Sequence, residues 1–116
     1  MNKKQKGHLG EFLARMFLRF KGYHIIEKNF ITGKGTSAGE IDIIAKKGKT
    51  LVFIEVKDRQ TKEAALYAIK PSQQKRILRA AQNYLAKTKK YQDFDVRFDA
   101  VLIYKWHILH IQNAFF

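Results

Sequence analysis

The chain has 116 residues, 46% of them hydrophobic and 13% aromatic, enough for one globular domain with a real core and too apolar for a disordered chain. Its 23 lysines and arginines outnumber 10 aspartates and glutamates, a formal net charge of +13. Such a chain attracts polyanions, nucleic acid first and an anionic membrane surface second, with a generically basic small protein as the bland alternative. There is no cysteine, which excludes a disulfide framework and any thiolate metal site.

The opening MNKKQKGHLG leads into an amphipathic stretch that Arg15 and Arg19 interrupt. Neither a signal peptide nor a membrane span is expected, and a cytoplasmic location is the default. The spacing predicts a helix over 5–21. Leu9, Phe12, Leu13, Met16, Phe17 and Phe20 form its apolar face, and Gly22 ends it. A narrower strip carries Glu11, Ala14 and Leu18, which leaves the helix open to cover on both sides. Residues 23–31 read as a strand, and 32–39 (TGKGTSAG) as a flexible loop. Residues 40–46 (EIDIIAK) and 50–57 (TLVFIEVK) are two strands, joined through a short KGK hairpin.

Residues 58–69 have no clean period and start polar, so a mobile segment is expected. Pro71 suits the first turn of a helix whose buried stripe is Ile77, Leu78, Ala81, Tyr84 and Leu85. Lys75, Arg76 and Arg79 take its polar side. Residues 96–104 are a strand, and 107–112 one more. The order α-β-β-β-α-β-β, with a helix between the third and fourth strands, allows a parallel crossover after an antiparallel meander. The expected fold is α/β: one domain over 1–116, a mixed sheet flanked by helices.

Acidic residues are scarce, so their positions carry information. Asp42 is flanked by Ile41, Ile43 and Ile44, and Glu55 by Ile54 and Val56. A lone ionised carboxylate buried in such strands is expensive unless it is paired or bound to a metal. With period 2 along a strand, Phe53, Glu55 and Lys57 share one face of their strand, and Glu40 and Asp42 likewise share a face of theirs. If the two strands pair, Asp42 and Glu55 come close together. Two nearby carboxylates favour a divalent cation between them, and hard oxygen ligands suit Mg²⁺ or Mn²⁺. Lys57 would project beside the metal. This is a phosphodiesterase device: a metal to offset charge and activate water, and an ammonium to hold the water or phosphate. The competing reading is an ion pair on a solvated sheet face.

Asp42 followed by Glu55-Val56-Lys57 resembles the PD-(D/E)XK, or restriction-endonuclease-like, nuclease superfamily. More of the chain is similar to the YraN family within it. Gly7-x-x-Gly10-Glu11-x-x-Ala14 matches, as do Gly39-Glu40-Ile41-Asp42-Ile43-Ile44-Ala45 and Val52-Phe53-Ile54-Glu55-Val56-Lys57-x-Arg59. So do Ala80-Ala81-x-x-Tyr84-Leu85, Arg97-Phe98-Asp99 and Asn113-Ala114-Phe115. The family resembles archaeal Holliday-junction resolvases in its core. The resemblance implies a restriction-endonuclease-like core of order α-β-β-β-α-β, with Asp42 and Glu55 as metal ligands and the Val56 carbonyl as a third. Lys57 would be the catalytic lysine and Glu11 an outer carboxylate reaching the metal or its water. Glu40 would be a more distant support or a turn residue. The superfamily's Pro before the first Asp is Ile41 here. Where relatives often carry Lys-Gln, this chain has Gln73-Gln74, and Gln74 takes the role of a Gln near the active site. A homodimer follows by analogy with resolvases.

The function expected is a Mg²⁺- or Mn²⁺-dependent endonuclease acting on DNA, branched or structured DNA in particular. The alternative is a non-catalytic nucleic-acid-binding module that keeps the fold. Arg59, Gln74 and Lys75 are candidate nucleic-acid contacts, together with Lys34, Lys46, Lys47, Lys49 and Lys62, which flank the centre in sequence. His107 and His110 fall on opposite faces of their strand. Tyr104 and Trp106 read as sheet packing.

Overall fold

The computed structural model describes residues 2–33 and 38–116. It contains helix α1 (Lys3–Phe20), strands β1 (His24–Thr32), β2 (Gly39–Lys47) and β3 (Thr50–Asp58), helices α2 (Lys62–Tyr67) and α3 (Pro71–Lys87), and strands β4 (Asp95–Tyr104) and β5 (His107–Ile111). This is the expected order with one short helix added. The fold is α/β, with a five-stranded mixed sheet flanked by helices, an arrangement compatible with a nuclease-like core. Among the described residues no helix is long and apolar enough to cross a membrane.

The sheet runs in the order β1-β2-β3-β4-β5. All neighbours are antiparallel except β3 and β4, which pair in parallel from Thr50↔Asp95 to Asp58↔Ile103. Helices α2 and α3 fill that crossover. The β2–β3 hairpin closes at Lys47↔Thr50, where Gly48 supplies the positive φ of +59° that the tight turn needs. Helix α1 packs on one face, over Ile43, Val52, Ile54, Val101 and Ile103. Helices α2 and α3 cover the other, over Ile41, Ile44, Leu51, Phe53, Ala100 and Leu102. With both faces covered, β3 is buried from Leu51 to Val56, which explains its apolar run from Leu51 to Ile54 and makes Glu55 the exception.

Three local expectations are corrected. First, the broad apolar stripe of α1 does not face the sheet. The side turned inward is Gly10, Ala14 and Leu18, while Leu9, Phe12, Leu13, Met16 and Phe20 are exposed. The reason is distance: a Cβ on Gly10 would lie 3.1 Å from Asp58 Oδ2, so the helix meets the end of β3 through its smallest residues. A row of Phe and Leu on that side would hold it away. Second, residues 58–69 include α2 rather than being structureless. Thr61 Oγ1 accepts the Ala64 N–H at 3.0 Å as an N-cap, and Ala65 is buried. Six residues are too few for a helical period to show. Third, Trp106 is no part of the sheet packing. It is fully exposed in the β4–β5 turn, where Lys105 and Trp106 hold φ of +44° and +70°. Tyr104 does pack against the core on the α3 side. The loop predicted over 32–39 is narrowed by strand at Thr32 and Gly39, and its residues 34–37, Lys34 included, lie outside the described residues.

Gly39 explains how α3 reaches β2. A Cβ there would sit 2.7 Å from the Arg76 carbonyl oxygen and 2.8 Å from the Ala80 nitrogen, both rigid helix backbone. Gly39→Ala is therefore expected to cost about 2 kcal/mol or more through overpacking. In thermal unfolding this reads as a fall in midpoint on the order of 10 °C. An unchanged midpoint would show that α3 does not press on β2 as described.

Candidate active site

The centre forms where β2 leaves β3. Regular pairing of these strands stops at Ile43↔Ile54, one step short of Asp42 and Glu55. Asp42 compensates with its side chain: Oδ2 accepts the Val56 N–H at 2.8 Å, satisfying a β3 amide that the ladder no longer reaches. Glu55 points the same way as Phe53, is only 2% exposed and hydrogen-bonds to Asp42. Lys57, two residues on and on the same face, brings Nζ to 3.7 Å from Glu55 Oε2, with both side chains largely buried.

The electrostatics follow from burial. Desolvation, then the hydrogen bond and the charge of Asp42, push the Glu55 carboxyl up to about 10, against the pull of Lys57. Burial and the Asp42 charge thus disfavour a negative charge on Glu55 unless a cation offsets it. Glu11 enters from α1, half-buried beside Asp42. Burial, reinforced by the Asp42 charge, raises its carboxyl above the usual range, while Arg15, His8 and a hydrogen bond with Asn29 oppose the rise.

Two hollows meet at Lys57. One, of about 370 Å³, is lined by Lys3, Lys6, Gly10, Glu11, Val56 and Arg59 among others. The second, toward α3, is lined by Lys70, Ser72, Gln73 and Arg76. Glu11, Asp42, Glu55, Val56 and Lys57 are thus brought together, with Arg59 at their edge. Gln74 and Lys75 are not: Gln73 and Arg76 occupy the helix face turned to Lys57, because positions 73, 76, 77 and 80 share a side. Glu40 pairs with Arg76 at 3.5 Å, a half-exposed contact of small value. Lys46, Lys47 and Lys49 lie at the hairpin end, the far end of the strands, and Lys47 sits over the Tyr23 ring. Lys3, Lys6 and Lys70, which sequence reasoning passed over, take the positions near the centre. Only the fold, which brings the N-terminal turns of α1 and α3 to one end of β3, identifies them.

The donor set fits a divalent cation as far as it goes. Asp42 and Glu55 supply hard oxygens, and a carboxylate whose charge is disfavoured by burial beside a second carboxylate has a place for positive charge. Among the described residues no three His, Cys, Asp or Glu side chains converge as a ready-made cage. The remaining ligands would be water or substrate oxygens, as hard cations bound near phosphates commonly have.

A second charged cluster, away from this centre, was not anticipated. Asp99 is fully buried on β4, yet its carboxylate accepts from Arg97 Nε at 2.9 Å, from the Asn113 N–H at 3.1 Å and contacts His110 Nε2 at 2.7 Å. His110 Nδ1 lies 2.9 Å from Lys21 Nζ, and Arg97 Nη2 donates to the Tyr23 hydroxyl at 2.6 Å. The cluster ties the end of α1 and the chain after β5 to β4. His107 is exposed beside Tyr104 and takes no part.

The arrangement is that of an α/β protein with paired carboxylates and a lysine at the end of a central strand. Comparison with known proteins places it further. The family model described as "Uncharacterised protein family UPF0102" matches residues 10–103. A UPF0102 protein of Paramagnetospirillum magneticum is 40% identical over 112 residues, covering 96% of this chain and 87% of the relative. One from Mesorhizobium japonicum is 40% identical over 114 residues, 97% of this chain and 87% of its own length. Another, from Bartonella tribocorum, is 41% identical over 111 residues, covering 96% and 82%. The chain belongs to the UPF0102 (YraN) family.

Asp99 gives a pH prediction. Burial alone would raise its carboxyl, but the bonds from His110, Arg97 and the Asn113 amide outweigh it and hold the group below the usual carboxylate range. A depressed folded-state pKa stabilises the fold above the unfolded value of about 3.9, and that contribution is lost as pH falls through the folded value. Asp99→Asn should cost about 3 kcal/mol at neutral pH, since it leaves Arg97 without its buried partner. The difference from the parent protein in urea unfolding should shrink below about pH 4. A difference that stays constant to pH 2 would remove Asp99 from this role.

Proposed function

We propose that this protein is a metal-dependent endonuclease hydrolysing phosphodiester bonds in DNA, with branched or structured DNA as its substrate class. One observation carries the reading: Asp42, Glu55 and Lys57 converge at the end of β3, and Lys57 also lines a cleft shared with Glu11, Lys3, Lys6 and Arg59. A cytoplasmic homodimer belongs to the same proposal.

Mg²⁺ or Mn²⁺ is the cofactor that this donor set suits, held by Asp42, Glu55 and the Val56 carbonyl. When bound, such a cation supplies Lewis-acid stabilisation of phosphoryl charge and lowers the pKa of a water. Lys57 holds its ammonium at a fixed place beside Glu55, where it can donate to a phosphate oxygen or to the attacking water. Glu11 offers a further acceptor over the same space. Lys3, Lys6, Arg59 and Lys70 would hold flanking phosphates, with an affinity that falls as salt rises.

The second reading, a binding module without turnover, is favoured by the net charge of +13 alone. The two differ in what metal and Lys57 do. Purified protein is incubated with branched, single-stranded and duplex DNA, in Mg²⁺, in Mn²⁺ and in EDTA. Cleavage is expected with metal only. Lys57→Ala should lower it by roughly a hundredfold or more and leave binding nearly intact. Asp42→Ala should abolish it. Cleavage that persists in both variants would refute the assigned centre. Salt-dependent binding with no metal-dependent cut would establish the second reading instead.

A further inference from the structure

The outer side of α1 has no counterpart in the centre described above. At about 100° per residue, Phe12, Met16, Leu9, Phe20, Leu13 and Phe17 fall within an arc of roughly 140°, shared only with Gln5 and Lys6 of the first turns. Leu9 is 42% exposed, Phe12 48%, Leu13 38%, Met16 48% and Phe20 93%. Beside this strip a groove of about 620 Å³ runs between α1 and the β4–β5 turn, lined by Leu9, Leu13, Ile103, Ile108 and Trp106. Trp106, the only tryptophan in the chain, projects fully exposed from a turn in which it holds a φ of +70°. A bulky side chain in the left-handed region costs on the order of 1 kcal/mol and is found where something else requires it.

Resting on the homodimer of the proposed function, and giving it a surface, we propose that this face is an isologous interface through which the protein pairs with a second copy of itself. Area is the first reason. Taking about 200 Å² for an extended aromatic side chain, Phe12, Phe20 and Trp106 alone expose on the order of 500 Å². Leu9, Leu13 and Met16 bring the patch to roughly 700 Å², above the 300–600 Å² usual for a monomer and close to the 800 Å² per partner of a stable complex. Shape is the second reason. A twofold interface must present both halves of its contact on one patch. Here the projecting Trp106 and an apolar groove stand side by side, so each copy can offer its indole to the other's groove.

Chemistry is the third reason. Leu9, Leu13 and Met16 give a phosphate or base nothing to bind, whereas they are core residues for another protein surface. The charge of the chain opposes pairing through a basic face, whereas here Leu9, Phe12, Leu13, Met16 and Phe20 expose apolar surface, with Lys6, Arg19 and Lys105 at its margins. The groove shares Lys6, Asp58 and Arg59 with the hollow beside Lys57, so the interface borders the candidate centre without including it.

The test is the mass of the full chain by sedimentation, from about 1 to 100 μM, with Trp106 emission followed in parallel. Pairing predicts a doubled mass together with a blue-shifted emission as the indole leaves water. Added NaCl should strengthen it, since two copies repel each other, whereas contacts with nucleic acid would weaken. Met16→Glu, at an exposed helix position, and Trp106→Gly, which suits a left-handed turn, should each raise the dissociation constant at least tenfold. Unchanged circular dichroism and melting would confirm that both variants fold. A monomer mass at 100 μM overturns the proposal, whether the emission then responds to an oligonucleotide, to anionic vesicles or to neither. So does a dimer that both variants leave intact. Neither result depends on whether the protein cleaves DNA.

Discussion

Two carboxylates facing each other where two strands part set the terms for one whole end of this molecule. Glu55 lies on the central strand with helices over both faces of the sheet, where a free negative charge is heavily penalised. Asp42 is spared part of that cost because it stands in for a missing rung of the ladder, accepting the Val56 amide. The strand pairing must therefore fail just there, and the sheet must stay closed everywhere else. A continuous β2–β3 ladder would satisfy Val56 through backbone and leave Asp42 no reason to turn inward. The structural irregularity and the chemical site are one feature.

The two helices flanking this feature are held close by absent side chains. Gly10 lets α1 rest against Asp58, which places Glu11 over Asp42. Gly39 lets α3 rest on β2 with backbone nearly touching, which brings Gln73 and Arg76 to the hollow at Lys57. In each case a glycine adjoins an acidic residue in sequence, Gly10-Glu11 and Gly39-Glu40, so the close approach and the charge it positions move together. Larger residues at either position would open the site as well as loosen the core.

Much of this was legible in the sequence. Asp42, Glu55 and Lys57 stood out because a strand has a strict period of two and acids among isoleucines are conspicuous. The same reasoning stops short on α1, where two apolar sides leave open which one meets the sheet. A helix pattern reports which side avoids water, and cannot tell a sheet from another partner. Steric fit chose Gly10, Ala14 and Leu18 for the sheet. The Asp99 cluster was invisible for a different reason: Tyr23, the Arg97–Asp99 pair and the segment from His110 to Asn113 come from separate parts of the sequence and meet only in the fold. Which side of α3 turns to Lys57 depends on the helix phase, which packing at Ile77 and Ala80 supplies and which puts Gln73 and Arg76 there.

The surface divides into two kinds that ask for different partners. Around Lys57 the chain gathers lysines and arginines from its N-terminal helix and from the middle of its sequence, and the field they create draws a polyanion without specifying it. Such a surface gains nothing from exposed phenylalanine. Along α1 and the β4–β5 turn the reverse holds, with apolar side chains that a polyanion cannot use and that water disfavours. A protein with one polyanionic partner and no other would be free to exchange Phe12, Met16 and Phe20 for polar residues, since none of them supports the core. Their presence, next to a tryptophan held in a costly turn, is therefore a requirement that the candidate centre does not impose.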